Sequence, residues 1–256
     1  MTLAAVAVAE PAVTRQPVDP RSLTGRERAW YRFLRTAFGR DDIKLWRVTE
    51  RDSARAGGCL FTSGVEYLRP ALGDSAPRGG VPVDLYRAAA IGLRDSGGAA
   101  VWSKNYQWHS MVPFRARLLA AAPCGAAAVI AVSDTTAQQV MNGQEPEAVL
   151  VLDRSGRQLL RIFPYCTLAA ARFTANGAYA ALLDACEWPR WHIVDVNSGR
   201  KLEMTGEDVL DVTDGGVVSY YWYEVPRDPK TRRLLKAPFD SLLANYRPHP
   251  LPGGSE

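Results

Sequence analysis

The pentapeptide Ser155-Gly156-Arg157-Gln158-Leu159 returns 43 residues later as Ser198-Gly199-Arg200-Lys201-Leu202, and each copy follows an apolar run that ends in an acidic residue. The first run is Val149-Leu150-Val151-Leu152-Asp153, and the second is His192-Ile193-Val194-Asp195. Strand, turn and strand at a period in the low forties mark a chain built from similar hairpin units, each burying its faces by stacking on its neighbours. That constrains the architecture far more than the activity, because repeat scaffolds host many functions.

Further turns extend the pattern from about residue 97 to the Tyr220 run. Asp95-Ser96-Gly97-Gly98 precedes Ala99-Ala100-Val101-Trp102, and Pro123-Cys124-Gly125 precedes Val129-Ile130-Ala131-Val132. Asn176-Gly177 precedes Ala178-Tyr179, and Asp214-Gly215-Gly216 precedes Val217-Val218. Asn-Gly and Asp-Gly are hairpin chemistry because these residues tolerate positive φ. The stretch Arg172-Phe173-Thr174-Ala175-Asn176-Gly177-Ala178-Tyr179-Ala180, followed by Trp191-His192-Ile193-Val194-Asp195-Val196-Asn197-Ser198-Gly199-Arg200, resembles one blade of a WD40-like or TolB-like β-propeller. The resemblance covers about 147–204, with weaker echoes over 97–134 and 209–235. It implies a mainly β fold, a small propeller-like or stacked β-hairpin domain with room for three or four units between 95 and 240.

The N-terminal region reads differently. Residues 1–22 hold Pro11, Pro17 and Pro20 among small and polar residues, and read as a flexible arm. Thr24 with Glu27 is a capping-box pattern, and Trp30, Phe33, Leu34, Ala37 and Phe38 recur at helical spacing before Gly39. This predicts an amphipathic helix over 25–38 with Arg28, Arg32 and Arg35 on its opposite face, either solvated or facing an acidic partner. Ile43 to Val48 alternates as a strand, Gly57-Gly58 breaks it, and Leu60-Phe61-Thr62 returns. Pro70 to Pro82 reads as a loop and Asp84 to Leu93 as a short helix. The expected organisation is an arm over 1–22, a helix and strand over 23–60, a β-rich repeat domain over 61–240 and a tail over 241–256.

At 256 residues, 47% hydrophobic and 23% charged, the chain has the composition of a folded globular protein. A net charge of +4 from 31 basic and 27 acidic residues is too mild to mark a nucleic-acid or membrane protein. Cys59, Cys124, Cys166 and Cys186 lack C-x-x-C spacing and read as buried free thiols. The apolar opening carries no Lys or Arg before it and meets Glu10, so it does not read as a signal peptide. No run approaches the ~18 apolar residues of a membrane span, and a cytoplasmic location is the expectation.

Few residues suggest chemistry. Only His109, His192 and His249 are available, and Cys186 six positions before His192 gives too few ligands for structural zinc. There is no Gly-x-Ser-x-Gly elbow and no phosphate-binding glycine loop, so neither a cofactor nor a metal is expected. Trp46-Arg47-Val48-Thr49, Phe61-Thr62-Ser63 and Glu145-Pro146-Glu147 resemble the Arg, Ser-Thr-Ser and Glu-x-Glu elements of ADP-ribosyltransferases. That resemblance implies that Arg47 holds a dinucleotide, Ser63 braces the site and Glu147 stabilises charge on the ribose.

Binding residues are easier to nominate. Tyr220-Tyr221-Trp222-Tyr223 puts two rings on each face of a strand, and Tyr and Trp are favoured at interface hot spots. Downstream lie Arg227, Lys230, Arg232, Arg233 and Lys236, which next to aromatics also suit single-stranded nucleic acid. Trp102, Tyr106 and Trp108 form a second aromatic group, and Trp188-Pro189-Arg190-Trp191 a third. The expectation is a non-enzymatic interaction module that binds another protein through aromatic residues, of a size that suits a bacterial immunity or accessory protein. Nucleic-acid binding and a transferase are the alternatives.

Overall fold

Four antiparallel sheets follow one another along the chain in the structure, a computed structural model that describes residues 7–8, 10–56, 58–72, 83–111, 113–133, 147–164, 168–185, 189–206, 208–223 and 230–247. The first sheet contains β1 (Ala7–Val8), β2 (Ala12–Val18), β3 (Leu45–Ala56), β4 (Cys59–Pro70), β5 (Leu85–Arg94) and β6 (Ala100–Ser110). The second is β7 (Ala116–Ala121), β8 (Ala127–Ser133), β9 (Glu147–Asp153) and β10 (Gln158–Ile162). The third is β11 (Leu168–Phe173), β12 (Tyr179–Asp184), β13 (Arg190–Asp195) and β14 (Lys201–Thr205). The fourth has three strands, β15 (Asp208–Val212), β16 (Val217–Tyr223) and β17 (Arg232–Pro238). The fold is mainly β, a series of four antiparallel sheets with a helix inserted between β2 and β3 of the first.

The sequence repeat falls at one place in the series, the turn from the third to the fourth strand of the second and third sheets. Asp153 Oδ1 accepts the backbone N–H groups of Ser155 and Arg157 at 2.9 and 3.0 Å and the Ser155 hydroxyl at 2.6 Å, while Arg157 Nε donates to Oδ2 at 2.9 Å. Asp195 accepts from Asn197 N–H at 3.0 Å, Ser198 N–H at 3.2 Å and Ser198 Oγ at 2.6 Å. Gly156 and Gly199 follow at φ of 76° and 74°, where a side chain would be strained. The first sheet uses the same device between β5 and β6, where Asp95 Oδ1 accepts from Gly97 and Ala99 N–H at 2.9 Å each. An aspartate bonding the backbone just ahead of it is a local turn-former, which is why this period is visible in sequence.

Burial tends to raise the Asp153 and Asp195 carboxyls, but the hydrogen bonds from Ser155 and Arg157, and from Ser198 and its neighbours, outweigh it and hold both below the usual 3.8. Their folded-state pKa therefore lies below the unfolded one, so the stability they add is complete above pH ~4 and is lost as pH falls through the folded value. Asp153→Ala should cost about 1–3 kcal/mol at pH 7. Urea titrations should show that difference shrinking below pH ~4 as the wild-type carboxylate gains its proton.

Period-two alternation lets each of the first three sheets bury residues on both faces, and the fourth on one. Phe61, Ile91, Leu93 and Trp102 of the first sheet share a core with Ile130, Val132, Leu150 and Leu152 of the second. The intervening residues Val129, Val149 and Val151 turn the other way and meet Phe173, Ala180, Leu182 and Val194 of the third. Ala181, Trp191, Ile193 and Met204 in turn meet Val209, Val212, Val218 and Tyr220 of the fourth, joined by Phe239 and Leu242 of the short helix α2 (Phe239–Asn245). Among the described residues, no core cluster joins the fourth sheet to the first.

The predicted helix forms as α1 (Gly25–Phe38), with Gly39 at φ 59° ending it. Thr24 N–H donates to Glu27 Oε2 at 3.2 Å, and Arg87 Nε meets Glu27 Oε1 at 2.6 Å. Trp30, Tyr31 and Leu34 pack on Leu45, Leu68 and Leu85. Leu68 alternates with Phe61 and Tyr67 along β4 and pairs with Arg47, so α1 lies on the face of the first sheet that points away from the second.

Several expectations are corrected. Phe33 is exposed, and Tyr31 takes its place in the buried stripe, because the helix meets the sheet one position round from the anticipated face. Asp84 to Leu93 is not a helix: Leu85–Arg94 is a strand between β4 and β6, where main-chain pairing on both sides overrides the helical preference of Ala88-Ala89-Ala90. Part of the arm is ordered, since Ala12–Val18 pairs along β3 as an exposed edge strand whose side chains bury little and so leave no hydrophobic signal. Strand β4 pairs with β3 over Leu45 to Ala56, which ties that segment into the first sheet. The start of the tail forms α2, while most of the Pro70 to Pro82 loop lies outside the described residues. Cys59 is buried and forms no disulfide; Cys166 and Cys186 lie outside the described residues.

Candidate interaction surface

In the fourth sheet, β16 is central, with β15 on one side and β17 on the other. Residues paired across antiparallel strands share a face, so the register sorts the aromatic run. Tyr220 pairs with Val209 and Leu235, and Trp222 with Arg233; Tyr220 is buried and Trp222 partly buried on the face packed against the third sheet. Tyr221 pairs with Asp208 and Leu234, and Tyr223 with Arg232, on the outward face. Tyr223 is nonetheless buried, and its hydroxyl donates to the Asp208 carboxylate. The bond to Asp208, reinforced by burial, pushes the Tyr223 pKa up to about 12.

Tyr221 stays half-exposed, and the Arg232 guanidinium sits 4.7 Å above its ring, a cation–π contact. Leu234 is 52% exposed beside it and Leu210, in the bulge of β15, is 42% exposed. Arg232, Arg233 and Lys236 are all exposed on β17. Neither leucine stands out in the sequence, since a Leu in a strand ordinarily signals burial.

Trp102 is buried in the core between the first two sheets, where the turn at Gly156 packs on it. Trp108 belongs to β6 but its side chain lies outside the described residues, as does Trp188.

The residues that resemble a transferase are not brought together. Arg47 pairs with Glu66 at 3.7 Å, and Ser63 lies five positions along β4 from the partner of Arg47, about 17 Å away at strand rise. Glu147 is in the second sheet, where its carboxylate takes Arg117 at 2.9 Å. His192 is buried beside Glu203; burial lowers its pKa and the Glu203 charge opposes that shift. Among the described residues no cluster of His, Cys, Asp and Glu has the makings of a metal site. No helix among them is long and apolar enough to cross a membrane.

A concavity of about 500 Å³ lies between the second and third sheets, lined by Arg154, Ser155, Arg157, Asn176 and Asn197 among others. Arg157 there is committed to Asp153, so the repeat residues serve the turn.

No protein-family model matches the chain, and neither does any curated protein. Among solved structures it is similar to TolB from Acinetobacter baumannii, at 13% identity and a TM-score of 0.23 over 76% of this chain and 57% of that one. It is also similar to Sqt1 from Chaetomium thermophilum, at 14% identity and a TM-score of 0.26 over 75% of this chain and 58% of that one. The chain thus spans less than two thirds of the length of either, and likeness at these scores carries no argument about activity or partner.

Proposed function

We propose that this protein is a binding module for another protein, and that its contact surface is the outward face of the fourth sheet around Tyr221, Leu234 and Arg232. The observation that carries the reading is an asymmetry between the two ends of the sheet series. At the first end α1 covers the outward face. At the other end the outward face carries the half-exposed Tyr221, the exposed Leu234 and cations, with no element packed over them among the described residues. Terminal units of a repeat stack ordinarily need a polar cap, so an apolar and aromatic terminal face suits a partner. Its make-up, an aromatic anchor ringed by charge, is that of an interface hot spot.

The test is capture from the lysate of the protein's own host, with and without nuclease, using wild type and a Tyr221→Ala, Leu234→Glu double variant. A stoichiometric protein that survives nuclease and is retained about tenfold less by the folded variant is the expected result. Equal retention by both proteins would place the contact elsewhere. Capture that disappears with nuclease and weakens steeply with salt would instead identify a nucleic-acid binder.

A further inference from the structure

The second and third sheets each have four strands, and the fourth has three. In the first two cases the chain leaves the third strand through an aspartate turn and returns as a fourth strand along its edge. After β17 it enters α2 instead, and that helix lies against β14, where the Tyr246 hydroxyl accepts the Thr205 N–H at 3.1 Å. Helix α2 touches β17 as well as β14, and among the described residues β17 pairs with no strand but β16. Edge strands of this kind offer a row of main-chain donors and acceptors to an incoming strand.

The side chains of β17 specify what would fit. The strand reads Arg232-Arg233-Leu234-Leu235-Lys236-Ala237-Pro238, three cations and no acid. Its consecutive leucines, 52% and 38% exposed, put apolar surface on both faces of the edge. In the third sheet a cation on the third strand meets an acid on the fourth, with Arg190 3.4 Å from Glu203. Cross-strand opposite charges stabilise such pairings, and like charges oppose them.

From these observations we infer that the free edge of β17 takes up an extended acidic segment of the partner as the fourth strand of this sheet, antiparallel to β17. The inference rests on the reading of the fourth sheet as the binding surface and names the chemistry of what binds. Carboxylates on one face of the guest strand meet Arg232 and Lys236, and apolar residues on its other face cover Leu235. The closing of the sheet by a guest strand is β-augmentation, in which main-chain bonds give affinity and side chains give selectivity.

The experiment uses the full chain and end-blocked, fluorophore-labelled seven-residue peptides, matching the length of β17. One alternates Glu with Val, the second has Lys in place of Glu, and the third is the Glu peptide with Pro at its centre. Fluorescence anisotropy should show saturable binding of the Glu peptide only. Binding should weaken at least tenfold for Arg232→Glu, Arg233→Glu, with the fold of the variant checked by circular dichroism. Equal binding of the Pro peptide would reduce the effect to charge attraction and overturn the inference, as would no binding of any peptide. Sedimentation showing a dimer lost on Leu235→Lys would assign the edge to a second copy and overturn it too. If no peptide binds while the lysate partner is still lost on Tyr221→Ala, Leu234→Glu, the inference fails and the proposed function stands.

Discussion

Phe61→Ala should destabilise the protein by about 3–5 kcal/mol. Phe61 is 2% exposed, lies opposite Ala54 and Leu93 within the first sheet, and belongs to the core that the first sheet shares with Leu118, Ile130 and Leu152 of the second. Removing the ring forfeits its transfer from water and leaves a cavity between two sheets whose backbones are held by their own ladders and cannot close up on it. A loss of that size is a large part of the ~5–15 kcal/mol that typically holds a folded domain together. Urea denaturation at pH 7 measures it, with Phe33→Ala as the comparison. Phe33 is 55% exposed on α1, and its removal should change stability by about 0.5 kcal/mol or less. A Phe61→Ala cost below about 1 kcal/mol would mean that the two sheets do not share this core.

Gly216→Ala should cost about 2–5 kcal/mol, for two separate reasons. Gly216 has φ of 75°, which strains any residue with a Cβ. A Cβ there would also stand 2.7 Å from Cζ of Tyr179, a ring wedged between the third and fourth sheets and packed on Phe239 with centroids 5.4 Å apart. The neighbouring Gly215 provides the control: an added Cβ would find its nearest neighbour, Thr213 Oγ1, at 4.0 Å, and its φ is not in the left-handed range. Gly215→Ala should be nearly silent. Equal thermal midpoints for the two variants would show that the turn does not rest on Tyr179. Combining Gly216→Ala with Tyr179→Ala separates the causes, because the truncation relieves the contact and leaves the backbone strain.

What was legible in the sequence was local. The capping pattern at Thr24 and Glu27, the stop at Gly39 and the aspartate turns at Asp153 and Asp195 all act within a few residues, so their residue types announce them. The strand character of Leu85–Arg94 was hidden because alanines and a glycine have no strand preference of their own, and pairing to β4 and β6 made the choice. Strand β2 was hidden for the opposite reason: it is held by main-chain bonds to β3 and buries almost nothing.

The candidate site divides the same way. The period-two sorting of Tyr220, Tyr221, Trp222 and Tyr223 onto two faces follows from strand geometry, and the basic character of Arg232 and Arg233 is plain in the residues. Whether a face is covered is not a property of the strand that carries it. That depends on α1 reaching the outward side of the first sheet, on α2 settling against β14, and on the fourth sheet ending at β17. These are contacts between segments far apart in the chain, and no local residue preference encodes them. Residue types within a few positions of one another dictate the repeating hairpins and their turns. Contacts between distant segments make Trp102 core and Tyr221 and Leu234 surface, and leave β17 with no strand on its outer edge among the described residues.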